Sequence, residues 1–307
     1  MTRPTRADAG GRAYLDLQNL ARRQGRPTQS LLTLYVLERF LARLETSPYA
    51  DRFVLKGGML LAVWDARRAT VDADFLARNV AMDQAAVLAC VVEIAAAQPP
   101  LEDGVEFEVH TAVAATIRDG DPYGGVRVAM DVELAGARVK LRLDVSTGDP
   151  VTPSPDVINY PTLRTGHRDL RILGYPLTVV LAEKLCTALS LGGGNTRIRD
   201  YADVWTLTGR RDVNAADMAA ALHATAAHRG LALRPLTQAI GNYATTRAGG
   251  YAAYLRRLGP DAARLPPTFD AVVDGVTDFA DPVLAGSVPD HARWRCATRE
   301  WVAPTRS

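Results

Sequence analysis

Residues 53–58, Phe53-Val54-Leu55-Lys56-Gly57-Gly58, and 70–75, Thr70-Val71-Asp72-Ala73-Asp74-Phe75, decide how this chain is read. A short apolar run leads into a glycine pair, and an Asp-x-Asp set among apolar residues follows about a helix's length later. The pattern predicts a strand at 53–55, a helix over 57–64 entered through the glycines, and a strand at 72–76. Side chains at i and i+2 of a strand share a face, roughly 6–7 Å apart at Cα, so Asp72 and Asp74 are expected to project together. Two hard carboxylates on one face suit Mg²⁺, which takes oxygen ligands and keeps waters or phosphate oxygens. Gly57 and Gly58 let backbone N–H groups approach a polyphosphate at the start of a helix whose dipole favours anions. Taken singly, a Gly-Gly is a turn and an Asp-x-Asp a solvated pair; in this order and spacing they point to nucleotide transfer from a nucleoside triphosphate.

Beyond this stretch, 28–44 reads as an amphipathic helix with Thr28 as N-cap, and 82–97 as a helix ended by Pro99-Pro100. Three period-two runs follow, around 105–109, 126–134 and 139–145. The Gly136-centred link between the last two predicts an antiparallel hairpin. On the third run Lys140, Arg142 and Asp144 share the polar face. A third carboxylate on a neighbouring strand would complete a two-metal arrangement. Asp144 is preferred over Asp131 because the opposite face of its strand is cleanly apolar. After a proline-rich connector at 150–155 the pattern turns helical from about 176: 178–191, 197–208, 214–228, 235–257 and 268–279. The expected organisation is an α/β lobe over 1–175 and an all-helical lobe over 176–307 that contributes to the active-site cleft.

In the helical half, Lys184 lies in an apolar helix context and suits the β/γ-phosphates. Asp200 and Asp203 lie on one helix face, where pairing with Arg197 and Arg199 is the plainer expectation. Gly192-Gly193-Gly194-Asn195 reads as a helix stop rather than a phosphate loop. Thr70 is placed to donate to a phosphate or to Asp72, or to serve simply as a β-branched strand residue. Lys56 precedes the turn, where it either reaches phosphate or is solvated.

The 307 residues can bury a full core, and 48% hydrophobic with 23% charged residues is ordinary for a globular protein. No apolar stretch reads as long enough to span a bilayer, and the N-terminus lacks an apolar signal core. The cysteines, Cys90, Cys186 and Cys296, are scattered and odd in number, and the five histidines lack metal-ligand spacing. Reduced thiols, no structural zinc, a cytoplasmic location and no membrane partner are expected. Of 36 basic residues only Lys56, Lys140 and Lys184 are lysine, and each lies in or beside a motif above. Residues 1–30 hold six arginines against two aspartates, compatible with binding an RNA backbone.

The segments FVLKGG, RRATVDADF, LRLDV, YPLTVVLAEKL and RIRDYADVW, in that order over residues 53–205, resemble the DNA polymerase β-like nucleotidyltransferases. Within them the chain is most similar to the AbiEii/AbiGii-type toxins, including the MenT toxins. That resemblance implies an α+β fold: a mixed nucleotidyltransferase sheet with helices, then the helical lobe. It puts Gly57 and Gly58 at the nucleotide-binding turn and Asp72 and Asp74 at the metal pair. Thr70 falls at a Ser/Thr position, Lys184 at the phosphate-contacting lysine, and the later aspartate on Asp200 or Asp203. It also implies Mg²⁺ (or Mn²⁺), an NTP substrate, an RNA acceptor with tRNA leading, and a cognate antitoxin. Two other readings stand beside it: nucleotidylation of a protein side chain (AMPylation), and a non-catalytic RNA-binding module, which would gain from losing the acidic pair.

Overall fold

The alternating runs of the sequence become strands of one seven-stranded sheet. The computed structural model describes residues 4–81, 83–117 and 124–303. These fall into two units: Met1–Val63 with Arg67–Gly148 and Asp156–Gly174, and Trp64–Ala66 with Asp149–Pro155 and Tyr175–Ser307.

In chain order the first unit runs α1 (Ala9–Gln24), α2 (Thr28–Thr46), β1 (Phe53–Lys56), α3 (Gly57–Leu60), β2 (Ala73–Ala77), α4 (Gln84–Ala96), β3 (Val105–Ile117), β4 (Gly125–Leu134), β5 (Ala137–Ser146), β6 (Asp156–Tyr160) and β7 (Leu170–Gly174). The sheet order is β3-β4-β5-β2-β1-β7-β6. Strands β2 and β5, and β1 and β7, pair parallel; the other neighbours pair antiparallel. The β4–β5 hairpin turns at Ala135 and Gly136, both with positive φ (49° and 79°), the geometry that matches strand twist in a two-residue hairpin. That turn fixes the register, so Val139, Leu141, Leu143 and Val145 all face the core. Helix α2 packs against β5 and β7, and α4 against β3 and β4.

Several expectations shift. Pro27, not Thr28, stands at the N-cap of α2, and no side chain caps it. The end of the 57–64 helix tightens into a 3₁₀ turn, Leu61–Trp64. Asp72 lies just before β2 rather than in it. Met82, the expected start of the next helix, lies outside the described residues; α4 begins at Gln84, capped by Asp83. Helix α1 and the β6–β7 hairpin were not predicted. The hairpin is tied to α2 by a buried charge cluster. Glu38 of α2 accepts from Arg39 (2.6 Å) and from the Leu163 N–H (2.7 Å), with Arg67 at 4.0 Å. Arg67 also donates to Tyr160 Oη and the Pro161 carbonyl.

The second unit contains α5 (Leu177–Leu191), α6 (Ile198–Thr208), β8 (Val213–Asn214), α7 (Ala215–His228), α8 (Leu236–Ile240), α9 (Tyr243–Leu258), α10 (Phe269–Leu284), β9 (Arg293–Arg295) and β10 (Glu300–Val302). It is helical with an added three-stranded sheet, β10-β9-β8. The expected 235–257 helix is broken at Gly241 (φ 53°) into α8 and α9. Helix α5 stops where Gly192 (φ 52°) leaves helical geometry. The sequence reading found no bilayer-length apolar stretch, but among the described residues Leu177–Gly194 meets that length and composition, with half of it buried in the protein. An aromatic cluster of Tyr201, Tyr243, Tyr251 and Phe269 and a second of Phe279, Trp294 and Trp301 fill the core. All three cysteines are free thiols.

Candidate active site

The candidate site residues form two clusters, one in each unit. In the first unit the glycine turn connects β1 to α3, and β2 runs antiparallel beside β1. Gly57 has φ 66°, and a Cβ there would lie 1.9 Å from Asp74 Oδ2. Only glycine fits on both counts, backbone conformation and room for the carboxylate. The Gly58 N–H donates to the Asp74 carboxylate. At least one amide of the turn is therefore satisfied by the protein itself, unlike the sequence expectation that these amides face phosphate.

Register then sets a row across four strands. Lys56 on β1 stands opposite Asp74 on β2, Asp74 opposite Asp144 on β5, and Asp144 opposite Arg127 on β4. The row is two carboxylates bracketed by two cations. Arg127 holds Asp144 bidentately, Nε–Oδ1 2.7 Å and Nη2–Oδ2 2.6 Å, the strong geometry of a guanidinium–carboxylate pair. Asp131, the competing carboxylate, pairs with Lys140 at 2.8 Å. It lies four residues farther along β4 than Arg127, about 13 Å by strand rise.

Asp72 joins the row from the preceding loop. Thr70, buried, donates its hydroxyl to Asp72 Oδ1 (3.0 Å) and to the Asp72 carbonyl (3.2 Å), which fixes the side chain that the strand itself does not hold. Asp74 registers the crowding. Burial first, then the Asp72 and Asp144 charges, push its carboxyl up to about 6, against the opposing pull of Lys56 and the Gly58 N–H. Among the described residues no group of three His, Cys, Asp or Glu side chains is gathered closely enough to form a ready-made metal cage. The oxygen-only donors and their mutual repulsion, only partly offset by Lys56 and Arg127, nevertheless fit a divalent cation that completes its shell with phosphate oxygens.

In the second unit Lys184 of α5 bridges two aspartates of α6, Nζ to Asp200 Oδ1 at 2.6 Å and to Asp203 Oδ2 at 2.9 Å. Asp203 is buried, and the side chains of Lys184 and Asp200 are only 14% and 15% exposed. The expected pairing of these aspartates with Arg197 and Arg199 is replaced by this shared lysine. The structure thus gathers Lys56, Gly57, Gly58, Thr70, Asp72, Asp74 and Asp144 in one unit, and Lys184, Asp200 and Asp203 in the other.

The sequence reading missed Arg127 and Arg68. Arg127 was accessible to it: a two-residue turn at Ala135-Gly136 fixes the hairpin register and places Arg127 opposite Asp144. Arg68, whose guanidinium nitrogens approach Gly58, lies in the segment RRATVDADF, but nothing in its spacing gave it a role.

Comparison with curated proteins gives no match. Among solved structures, MenT4, a nucleotidyltransferase toxin of Mycobacterium tuberculosis H37Rv, is similar at 15% identity over 88% of this chain and 98% of its own, with a TM-score of 0.49. JHP933 of Helicobacter pylori is similar at 16% identity over 84% of this chain and 93% of its own, with a TM-score of 0.48. The family model for the nucleotidyl transferase AbiEii toxin of type IV toxin–antitoxin systems matches residues 39–275. That span holds every candidate residue above and most of both units, and the chain belongs to the AbiEii nucleotidyltransferase toxin family.

Proposed function

We propose that this toxin transfers nucleotides from an NTP to an RNA acceptor, the tRNA 3′ end foremost, with Mg²⁺ (or Mn²⁺) bound and pyrophosphate released. A cognate antitoxin follows from its family. The observation that carries the reading is the register row Lys56–Asp74–Asp144–Arg127 set against the glycine turn.

Each residue has a part that its surroundings support. Thr70 holds Asp72 in place, so Asp72 and Asp74 present their carboxylates together. Gly57 gives the Asp74 carboxylate room beneath the turn, and the Gly58 N–H orients it. Lys56 offsets part of the negative charge that Asp72, Asp74 and Asp144 accumulate. A bound Mg²⁺ supplies charge neutralisation on the triphosphate. Both oxygens of Asp144 are taken by Arg127. Each oxygen keeps a further lone pair, on which Asp144 either helps hold a second metal or accepts the proton of the attacking 3′-hydroxyl while Arg127 orients it. Lys184, aligned by Asp200 and Asp203, is assigned the leaving pyrophosphate from the family resemblance. Positioning and electrostatics then do most of the catalysis.

The test is incubation of the wild type and Asp72→Ala with each labelled NTP and total RNA. RNA labelled by the wild type alone is expected. Transfer retained by Asp72→Ala would overturn the site, and label on protein instead of RNA would overturn the acceptor.

A further inference from the structure

Three features of the glycine turn leave a phosphate short of positive charge. Helix α3 and the 3₁₀ turn that continues it span only residues 57–64, about two turns, and give a weak dipole. The Gly58 N–H is committed to Asp74, and the neighbouring carboxylates Asp72, Asp74 and Asp144 repel phosphate. Lys56 stands opposite Asp74 in register and spends its charge there.

One cation lies on the turn itself. Both terminal nitrogens of Arg68 lie 3.2 Å from the point where a Cβ of Gly58 would stand, and Thr70 Oγ1 lies 3.1 Å from the same point. The guanidinium therefore occupies space that the missing Gly58 side chain leaves open, beside the hydroxyl that orients Asp72. The preceding residue, Arg67, is anchored through Glu38, Tyr160 and the Pro161 carbonyl and lies over the Tyr160 ring at 5.2 Å. With Arg67 held there, the next side chain, Arg68, lies on the turn. Arg68 also donates to the Ala69 carbonyl at 3.3 Å, which steadies the head group, and the residue stays half-exposed.

We propose that Arg68 is a nucleotide-binding residue: its guanidinium, seated on Gly58, takes phosphate oxygens of the incoming nucleoside triphosphate. The inference rests on the nucleotide-transfer reading and adds a contact that neither the glycine turn nor the acidic row supplies. It gives Gly58 a reason to be glycine, because a Cβ 3.2 Å from the guanidinium would push it aside by a few tenths of an ångström.

The experiment titrates the wild type, Arg68→Ala, Arg68→Lys, Gly58→Ala and Asp72→Ala with a non-hydrolysable nucleoside triphosphate. It also measures KM and kcat for transfer and records the melting temperature of each variant. Loss of one charge-assisted contact should raise Kd and KM for the triphosphate about 10- to 100-fold in Arg68→Ala, with a smaller change in kcat. Arg68→Lys should recover part of that, since a point charge replaces a planar fork. Binding of the bare nucleoside should not change, whereas a merely structural role would weaken both ligands together. Should Arg68→Ala fail to fold, Arg68→Gln carries the same prediction. If Arg68→Ala binds triphosphate like the wild type while Asp72→Ala abolishes transfer, Arg68 has no such role and the nucleotide-transfer site stands. If the wild type neither binds triphosphate nor releases pyrophosphate, the nucleotide-transfer reading fails and takes this contact with it.

Discussion

Asp74 is the residue whose replacement should separate stability from activity. Its carboxyl is raised from the ordinary 3.8 to about 6 by burial and by Asp72 and Asp144. A native state that holds a proton more tightly than the unfolded chain loses stability as pH rises from about 4 through 6. The full rise corresponds to about 3 kcal/mol at 1.36 kcal/mol per pH unit. Because Asp74 is only half-buried by exposed area, solvent screening reduces this to about 1–2 kcal/mol. Asp74→Asn keeps an oxygen to accept from Gly58 and removes the charge. In the absence of divalent cation it should melt about 2–6 °C above the wild type at pH 8, match it near pH 4, and lose nucleotide transfer at every pH. Added Mg²⁺ should raise the melting temperature of the wild type towards that of the variant by binding the native state alone. Differential scanning fluorimetry across pH 4–8, with and without Mg²⁺, reads all of this. A variant that melts at or below the wild type at pH 8, or that gains equally at pH 4 and pH 8, would refute the account of Asp74 as a carboxylate held against repulsion.

Two other perturbations follow from the geometry. Gly57→Ala meets both a positive φ and a Cβ 1.9 Å from Asp74 Oδ2; a loss of about 1–3 kcal/mol in chemical denaturation is expected, together with weaker triphosphate binding, and an unchanged midpoint would count against the close approach. Lys184→Met leaves two largely buried aspartates without their shared cation and should cost about 3–5 kcal/mol; adding Asp203→Asn should recover part of the stability but no transfer, as thermal melts and labelled-nucleotide assays would show.

The turn-and-carboxylate stretch was legible because its information is local. A strand ending in glycines needs a positive φ, and Gly57 has one. The hairpin over β4 and β5 was legible for the same reason, since period-two alternation and a Gly136 turn are properties of neighbouring residues. Helix α1 and the β6–β7 hairpin were not. The hairpin is held by Glu38, Arg67 and Leu163, residues more than a hundred positions apart at the extremes. The small sheet of the second unit was missed because β8, β9 and β10 are two or three residues each, too short to show a period. Asp72 reads as a strand residue from its spacing, but it lies one residue before β2 and its carboxylate is held by the Thr70 hydroxyl, so a local side-chain hydrogen bond rather than strand pleat sets its direction.

What the sequence by itself determined is the inventory: a glycine turn, an Asp-x-Asp, a carboxylate on an amphipathic strand, and a lysine with two aspartates a helix away. Those follow from periodicity and residue chemistry within a few positions. What only the tertiary structure decided is who faces whom. The parallel pairing of β2 with β5 puts Asp144 beside Asp74, Lys184 chooses both Asp200 and Asp203, and Arg68 lies on Gly58. Each depends on segments brought together through space, where register and packing set the distances and nothing in the local pattern records them.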